Sequence, residues 1–409
     1  MEDCIFNIME KMPYDKNFIF QFNIPTRIYA GKGEIKRLKK VINNLGERIL
    51  IISMEDLSEM INNVINYIKP IPSIYYELIL LKNIEPRCHD IDHLKQKIKN
   101  KKFDIIIGLG GGSAIDTAKA LSIALTHSEP IWLYANLSNR PPLPLLKPLI
   151  PIVAIPTTAG TGSEVTPYAI LTNSEINQKG TIQEIALFPK VAFLDPTFTR
   201  TMPPELTATT GIDAFIHALE SYINISKYSP VAEWAARGAM SIIYQTLSEV
   251  YKNLDNIELR LKMSWASTLA GIAISHRGTT AIHAIAEPLG AITHIPHSVA
   301  VAICTLPVLK YTWYKTIKKF AFLYEIFEPS KKFGKSDIDK AKKSIELIEN
   351  MFKQVNIFKK VRVKDYIKIE NIADKLLEDV IKYKFRPLAQ HPVEFSKKEL
   401  KIIINEILK

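Results

Sequence analysis

The stretch Phe103-Asp104-Ile105-Ile106-Ile107-Gly108 runs almost directly into Gly110-Gly111-Gly112-Ser113, and a helical pattern follows through Leu125. Three consecutive Ile leave no face for water, so the run reads as a strand buried on both sides. A buried strand that turns through glycine into a helix is the building unit of a parallel sheet, because parallel neighbours need a long crossover. The same alternation recurs nearby. Arg48–Ile52 reads as a second buried strand, Tyr75–Leu80 and Pro151–Ile155 as further strands, and Asp56–Ile68, Asp92–Lys99 and Ser113–Leu125 as helices. Residues 1–200 are therefore expected to form an α/β domain around a parallel, doubly wound sheet.

After residue 200 the pattern changes. Pro203-Pro204 can open a helix, and apolar residues then recur every three or four positions through 208–223, 230–251, 257–274 and 338–355. Residues 201–409 are expected to be all-helical. A length of 409 residues suits two such domains, and with no linker of low complexity they are expected to share a tight interface.

Composition excludes several classes. With 47% apolar and 23% charged residues the chain is neither disordered nor fibrous. Cys4, Cys88 and Cys304 are too few and too scattered for a disulfide framework, so a reducing, cytoplasmic setting is expected. No apolar run reaches the ~20 residues needed to span a bilayer, and Glu2 and Asp3 do not fit a signal peptide. The net charge is +11, and residues 331–409 hold 20 Lys/Arg against 12 Asp/Glu, a local excess of 8. Those Lys alternate with Ile, Leu and Glu at helical spacing, which reads as a solvated helical surface and not as a nucleic-acid site.

Two loops carry the signs of a ligand. Gly110, Gly111, Gly112 and Ser113 let a backbone approach a diphosphate closely, and the first N–H groups of the following helix would point at it. Asp116 and Lys119 lie on the first turns of that helix. The glycines do not form the G-x-G-x-x-G placed after a first strand, so a standard Rossmann assignment does not apply. The second loop, Pro156 to Glu164, lies beyond the next strand and is rich in Thr and Gly. Loops at the carboxyl ends of parallel strands are where such sheets bind ligands.

Five of the nine His lie between residues 217 and 297. Asp213 and His217 stand at i, i+4 and leave a helix on one face. His283 follows, and Pro288 and Pro296 are expected to break that stretch so that His297 turns back. One carboxylate and three imidazoles make a four-ligand set for a divalent first-row metal. The alternative is a set of separate, hydrogen-bonded core histidines.

Taken in order, these segments resemble the iron-containing (group III) alcohol dehydrogenase family over nearly the whole chain. Pro25 to Gly33 is similar to the family's opening strand and glycine turn. Gly110 to Lys119 resembles its diphosphate loop and Pro156 to Thr166 its P-T-T-x-G-T-x-S-E-V-T segment. Asp195-Pro196 and Met202-Pro203-Pro204 resemble its domain junction, and Thr210 to Glu220 and His283 to His297 its two metal motifs. The resemblance implies a dehydroquinate synthase-like fold with the active site between the domains. It implies Fe(II), with Zn(II) as the alternative, on Asp213, His217, His283 and His297. It implies NADP or NAD on Gly110, Gly111, Gly112, Ser113 and Asp116, with Thr157, Thr158, Thr161 and Thr166 lining the nucleotide and Lys179 at the ribose. It further implies a homo-oligomer acting on a small alcohol or aldehyde, with neither nucleic acid nor membrane as a partner.

Three positions depart from the family pattern. Glu287 stands where a second His often follows the third ligand; one reading has it take over some of the proton handling with a raised pKa, the other has it face the opposite wall or anchor a ligand His. Pro296-His297-Ser298 replaces P-H-G. Met54 occupies the end of the first cofactor strand, where an Asp would bond the ribose 2′-OH of NAD and repel a 2′-phosphate. The expected activity is a metal-dependent, NAD(P)-linked alcohol dehydrogenase or aldehyde reductase. The alternatives are a glycerol-dehydrogenase-like or other polyol or hydroxy-acid enzyme, and, more remotely, a non-catalytic relative. A cyclase of the dehydroquinate synthase group would want several cations by the metal, and these segments hold only Arg277.

Overall fold

The computed structural model describes residues 20–82, 85–137, 140–226, 228–330, 336–357 and 371–409. Glu2, Asp3 and Cys4 lie outside them. The first half is built on a six-stranded parallel sheet: β1 (Arg27–Ala30), β2 (Arg48–Met54), β3 (Tyr75–Leu81), β4 (Ile105–Gly110), β5 (Ile152–Pro156) and β8 (Val191–Leu194), in the order β1-β8-β5-β4-β2-β3. The crossovers include α1 (Leu38–Leu45), α2 (Ser58–Ile68), α3 (Cys88–Ile98) and α4 (Gly112–Ala124). Alternation along each strand sends Leu50, Ile52 and Ile106 into one core and Ile49, Ile51, Ile105 and Ile107 into the other. Both faces are dry, as a doubly wound sheet requires.

Two elements have no counterpart in the sequence reading. An antiparallel hairpin, β6 (Tyr168–Asn173) and β7 (Gln178–Gln183), stands apart from the main sheet. The short β8 inserts between β1 and β5, with Val191 opposite both Arg27 and Val153. The hairpin strands are polar on one side, and β8 is only four residues long, so neither carries a strong apolar period.

The second half is helical: α5 (Pro204–Ile223), α6 (Pro230–Lys252), α7 (Ile257–Arg277), α8 (Ala281–Thr293), α9 (His297–Lys310), α10 (Ile317–Phe327), α11 (Asp337–Gln354), α12 (Ile372–Tyr383), α13 (Phe385–Ala389) and α14 (Lys397–Ile407). One core runs through it, from Ala208 to Ile407. Helix α5 is buried almost throughout because its neighbours surround it, which is what its polar motif residues need to stay dry. No helix among the described residues is long and apolar enough to cross a membrane. Cys88 and Cys304 are free and buried.

The two halves meet through glycine. Gly162, at φ 63°, lies against Gly271 on α7, where an added Cβ would sit 2.5 Å from the Gly271 Cα; a Cβ on Gly271 would sit 2.6 Å from the Gly162 carbonyl oxygen. Only two missing side chains let loop and helix approach this closely. Arg260 reinforces the junction. Its buried guanidinium donates to the Met202 and Leu254 carbonyls at 3.0 and 2.8 Å and to Thr207 Oγ1 at 2.8 Å.

Candidate active site

Helix α5 presents Asp213 and His217 one turn apart. His283 projects from α8, and His297 opens α9. One ligand atom from each of the four lies within 4.8 Å of every other. Asp213 Oδ1 is the hub, 3.9 Å from His217 Nε2, 3.7 Å from His283 Nε2 and 4.0 Å from His297 Nε2. These spacings are too long for hydrogen bonds. Asp213 Oδ1 and His283 Nε2 are both buried without a hydrogen-bond partner, a costly state that a shared cation relieves. The residues therefore fit a divalent metal.

The electrostatics call for positive charge at the same point. Burial pushes the Asp213 carboxyl up, but the imidazoles, His217 first, outweigh it and leave it below the usual range. Burial pushes His283 down, yet the carboxylates of Glu220 and Asp213 carry it up to about 10. His297 is held down to about 4, mainly by burial, with repulsion from His283 and Lys179 adding to it against the pull of Asp213. Among the three imidazoles His297 is the most open, its side chain 29% exposed, so the cluster faces outward on its side.

Behind the ligands stands Glu220, fully buried on α5. Its Oε2 bonds His283 Nδ1, while Oε1 accepts from Thr280 Oγ1 at 2.8 Å and the Ile282 N–H at 2.7 Å. With Nδ1–H held by Glu220, Nε2 is the nitrogen that faces the cluster and would give its lone pair to a bound metal in place of a proton, the usual arrangement behind a metal-bound imidazole.

The two polar loops lie side by side at the ends of β4 and β5, joined by a Thr157 N–H to Gly110 carbonyl bond of 2.9 Å. Gly111 and Gly112 face Thr158 and Thr161, with room for little more than hydrogen at Gly112. Thr157 is buried beside them, and Ser113 opens the second position of α4. The loop continues to the metal cluster, where the Gly160 carbonyl stands 3.4 Å from His217 Nδ1. A single loop thus touches both the glycine cradle and a ligand histidine.

Asp116 and Thr166 are both bonded to other protein groups. Asp116 accepts from Ser163 Oγ at 2.5 Å and the Ile170 N–H at 3.1 Å. The wholly buried Lys119 donates to Ser163 Oγ, Thr166 Oγ1 and the Tyr168 carbonyl at 2.8, 3.2 and 2.7 Å. These groups brace the second loop from behind. Lys179, on β7, pairs with Glu85 at 2.7 Å. Its Nζ also comes within 3.8 Å of where a Cβ on Gly290 would stand, which brings the hairpin up to α8.

Between that hairpin and α8 opens a cleft lined by Asn136, Gln178, Lys179, Thr181, Glu287 and Lys384, among others. Glu287 does lie one turn beyond His283, but the raised pKa of the proton-handling reading is overturned. Burial pushes the carboxyl up, and the ion pair with Lys384 outweighs it, holding it down to about 2.

The family models bear on the whole of this architecture. The model described as iron-containing alcohol dehydrogenase matches residues 25–196, and that of the C-terminal part of the Fe-containing alcohol dehydrogenase family matches residues 207–407. The chain belongs to the iron-containing alcohol dehydrogenase family. It is 31% identical to a sulfoacetaldehyde reductase of Bilophila wadsworthia over 75% of this chain and 79% of that one. It is likewise 31% identical to a 1,3-propanediol dehydrogenase of Klebsiella pneumoniae, over 83% and 87%. The solved alcohol dehydrogenase of Oenococcus oeni superposes with a TM-score of 0.85 at 28% identity, over 95% of this chain and 100% of that one. The chain is an oxidoreductase of the alcohol dehydrogenase class.

For this alcohol dehydrogenase one expectation about the ligand segment needs correction. Pro288 does not break the helix; it lies inside α8. The reversal is made by His294, at φ 58°, and by Pro296 just ahead of α9. His276 stacks on Phe22 at 4.5 Å and accepts the Asn23 N–H at 3.0 Å, clamping the segment that leads into β1. Glu220 is the functional candidate that the residue-by-residue reading passed over. Its signal was present: it follows His217 by three residues, on the same helical face.

Proposed function

We propose that this chain interconverts a small, polar primary alcohol and its aldehyde, with a divalent metal on Asp213, His217, His283 and His297 and a nicotinamide dinucleotide on the glycine cradle. The observation that carries the reading is the pair of orphaned buried atoms, Asp213 Oδ1 and His283 Nε2, ringed by two further imidazoles. Fe(II) is the proposed ion on family grounds, with Zn(II) compatible with the same donors. A bound metal supplies Lewis acidity to the substrate oxygen, and the nicotinamide supplies hydride exchange.

The chain's own residues do the rest. Gly111, Gly112 and Ser113, at the N-terminus of α4, offer backbone N–H groups to a diphosphate. Thr157, Thr158 and Thr161 wall the cradle. Asp116, Thr166 and Lys119 act one layer back, holding that wall in place. Lys179 reaches toward the cluster from β7, as a ribose contact would require. Glu287, pinned as an anion by Lys384, shapes the cleft and is not proposed to carry a proton while that pair holds. The polar lining, with Asn136, Gln178 and Thr181, supports a substrate bearing a second polar group, in keeping with relatives named for sulfoacetaldehyde and 1,3-propanediol.

Met54 ends β2 beside the cradle, 3.8 Å from where a Cβ on Gly110 would stand. With no carboxylate there to repel a 2′-phosphate, we propose that NADP(H) is accepted at least as well as NAD(H). Division near residue 200, a homo-oligomeric assembly and a cytoplasmic setting belong to the same proposal. His217→Ala tests its centre. The expected result is loss of bound metal and of turnover with the fold retained by circular dichroism. A metal-replete, fully active variant sinks the assignment.

A further inference from the structure

His391 is 2% exposed and lies in the segment after α13, 94 residues beyond the last ligand, His297. Its two ring nitrogens are both engaged. Nδ1 stands 3.0 Å from Thr280 Oγ1, and Nε2 stands 2.9 Å from Thr312 Oγ1. Thr280 has one hydroxyl proton, and its bond to Glu220 Oε1 at 2.8 Å takes it, because a carboxylate only accepts. Thr280 Oγ1 must therefore accept from His391, which places the proton of His391 on Nδ1. Burial holds His391 neutral, down to about 4, so Nε2 is the acceptor and faces the Thr312 hydroxyl.

Thr312 Oγ1 also stands 2.8 Å from the Val308 carbonyl, so its one proton is shared between that carbonyl and His391 Nε2. From His391 onward the bonds run in one direction: His391 donates to Thr280, and Thr280 to Glu220 Oε1. Glu220 Oε2 takes the Nδ1–H of His283, whose Nε2 is the orphan atom of the cluster. Bonds that point the same way polarise one another in a dry interior. Without His391, Thr280 loses the donor that keeps its own proton aimed at Glu220, and Glu220 loses rotational restraint behind His283.

We infer that His391 is a positioning residue for the metal cluster, acting on His283 through Thr280 and Glu220. The inference rests on the metal reading proposed above. A Glu behind a ligand His is the common partner; here a histidine from the C-terminal segment sets that partner's orientation in turn.

The test uses three variants of the full chain, loaded with Zn²⁺ and followed for metal release to EDTA. His391→Leu removes both ring bonds. His391→Gln places its amide near Nε2 and keeps only the Thr312 side. His391→Asn places its amide near Nδ1 and keeps the donor to Thr280. The Leu and Gln variants should release metal about tenfold faster or more. The Asn variant should stay within about threefold of wild type, with the cofactor KM unchanged in all three. Melting of the metal-free proteins reports packing separately, and release should not follow it across the series. Wild-type release rates in the Leu and Gln variants overturn the inference, as does acceleration shared equally by Asn. A wild-type chain that holds no divalent metal overturns the metal reading and this inference together.

Discussion

Glu287 and Lys384 form an ion pair across 97 residues of sequence, with their side chains only 15% and 14% exposed. A buried pair is strongly damaged by removing one partner, because the other is left charged and dry. Glu287→Gln should therefore cost on the order of 3 kcal/mol at pH 7, read from urea unfolding midpoints. The sign follows from the depressed carboxyl. Its folded value of about 2 lies below its ordinary 4.5, so the pair contributes fully above about pH 5 and loses its contribution as pH falls toward 2. The stability gap between wild type and variant should shrink over that window. The pH profile of turnover between 6 and 9 should keep its shape in the variant. A hundredfold loss of rate with an altered profile would instead restore Glu287 to proton transfer.

Glu220→Gln tests the support behind His283. Gln can still accept one bond, but it removes the anion that fixes His283 Nδ1–H. Metal affinity should fall by about 10- to 100-fold, measured by competition with a chelator. Unchanged affinity would mean that Glu220 serves packing alone.

Gly112→Ala probes the cradle. A Cβ there would stand 2.7 Å from Thr161 Cγ2 and 3.0 Å from its Oγ1. Thr161 would have to swing away, losing its bond from the Ser163 N–H at 3.2 Å. The cofactor KM should rise about tenfold, near 1.4 kcal/mol, with kcat little changed. Equal KM values would place the dinucleotide elsewhere.

Met54→Asp addresses the choice of cofactor. The new carboxylate, at the end of β2, would repel a 2′-phosphate and bond a 2′-OH. The kcat/KM ratio should move toward NAD by about tenfold. A wild-type enzyme that already prefers NAD strongly would contradict the proposal, and Glu55 or Asp56, adjacent to Met54, would be the next groups to vary.

Much of the site was legible before any coordinates. The i, i+4 relation of Asp213 and His217 needs only helical geometry, and the glycines after β4 need only the strand and helix that flank them. Asp116 and Thr166 were legible as motif residues, while their bonds to Ser163, Ile170 and Lys119 were not. Whether a hydroxyl or carboxylate faces a ligand or a buried Lys119 depends on which side of a loop is covered, and the covering hairpin had no clear period. Glu287 shows the same limit. Its place one turn past His283 was readable, while its charge state is decided by Lys384 from a distant helix end.

What this sequence determined by itself is local. Consecutive Ile with no polar face made β2 and β4 buried strands, prolines opened α5, and histidines at helical spacing put donors on shared faces. These follow from periods of two and 3.6 residues, which any window of the chain reveals. Tertiary structure alone decided the pairings of groups far apart: Gly162 with Gly271, Glu220 with His283, and Lys384 with Glu287. Each depends on how desolvation and charge balance once distant segments close on one point, and a carboxylate's pKa is a property of that point, not of its neighbours in the chain.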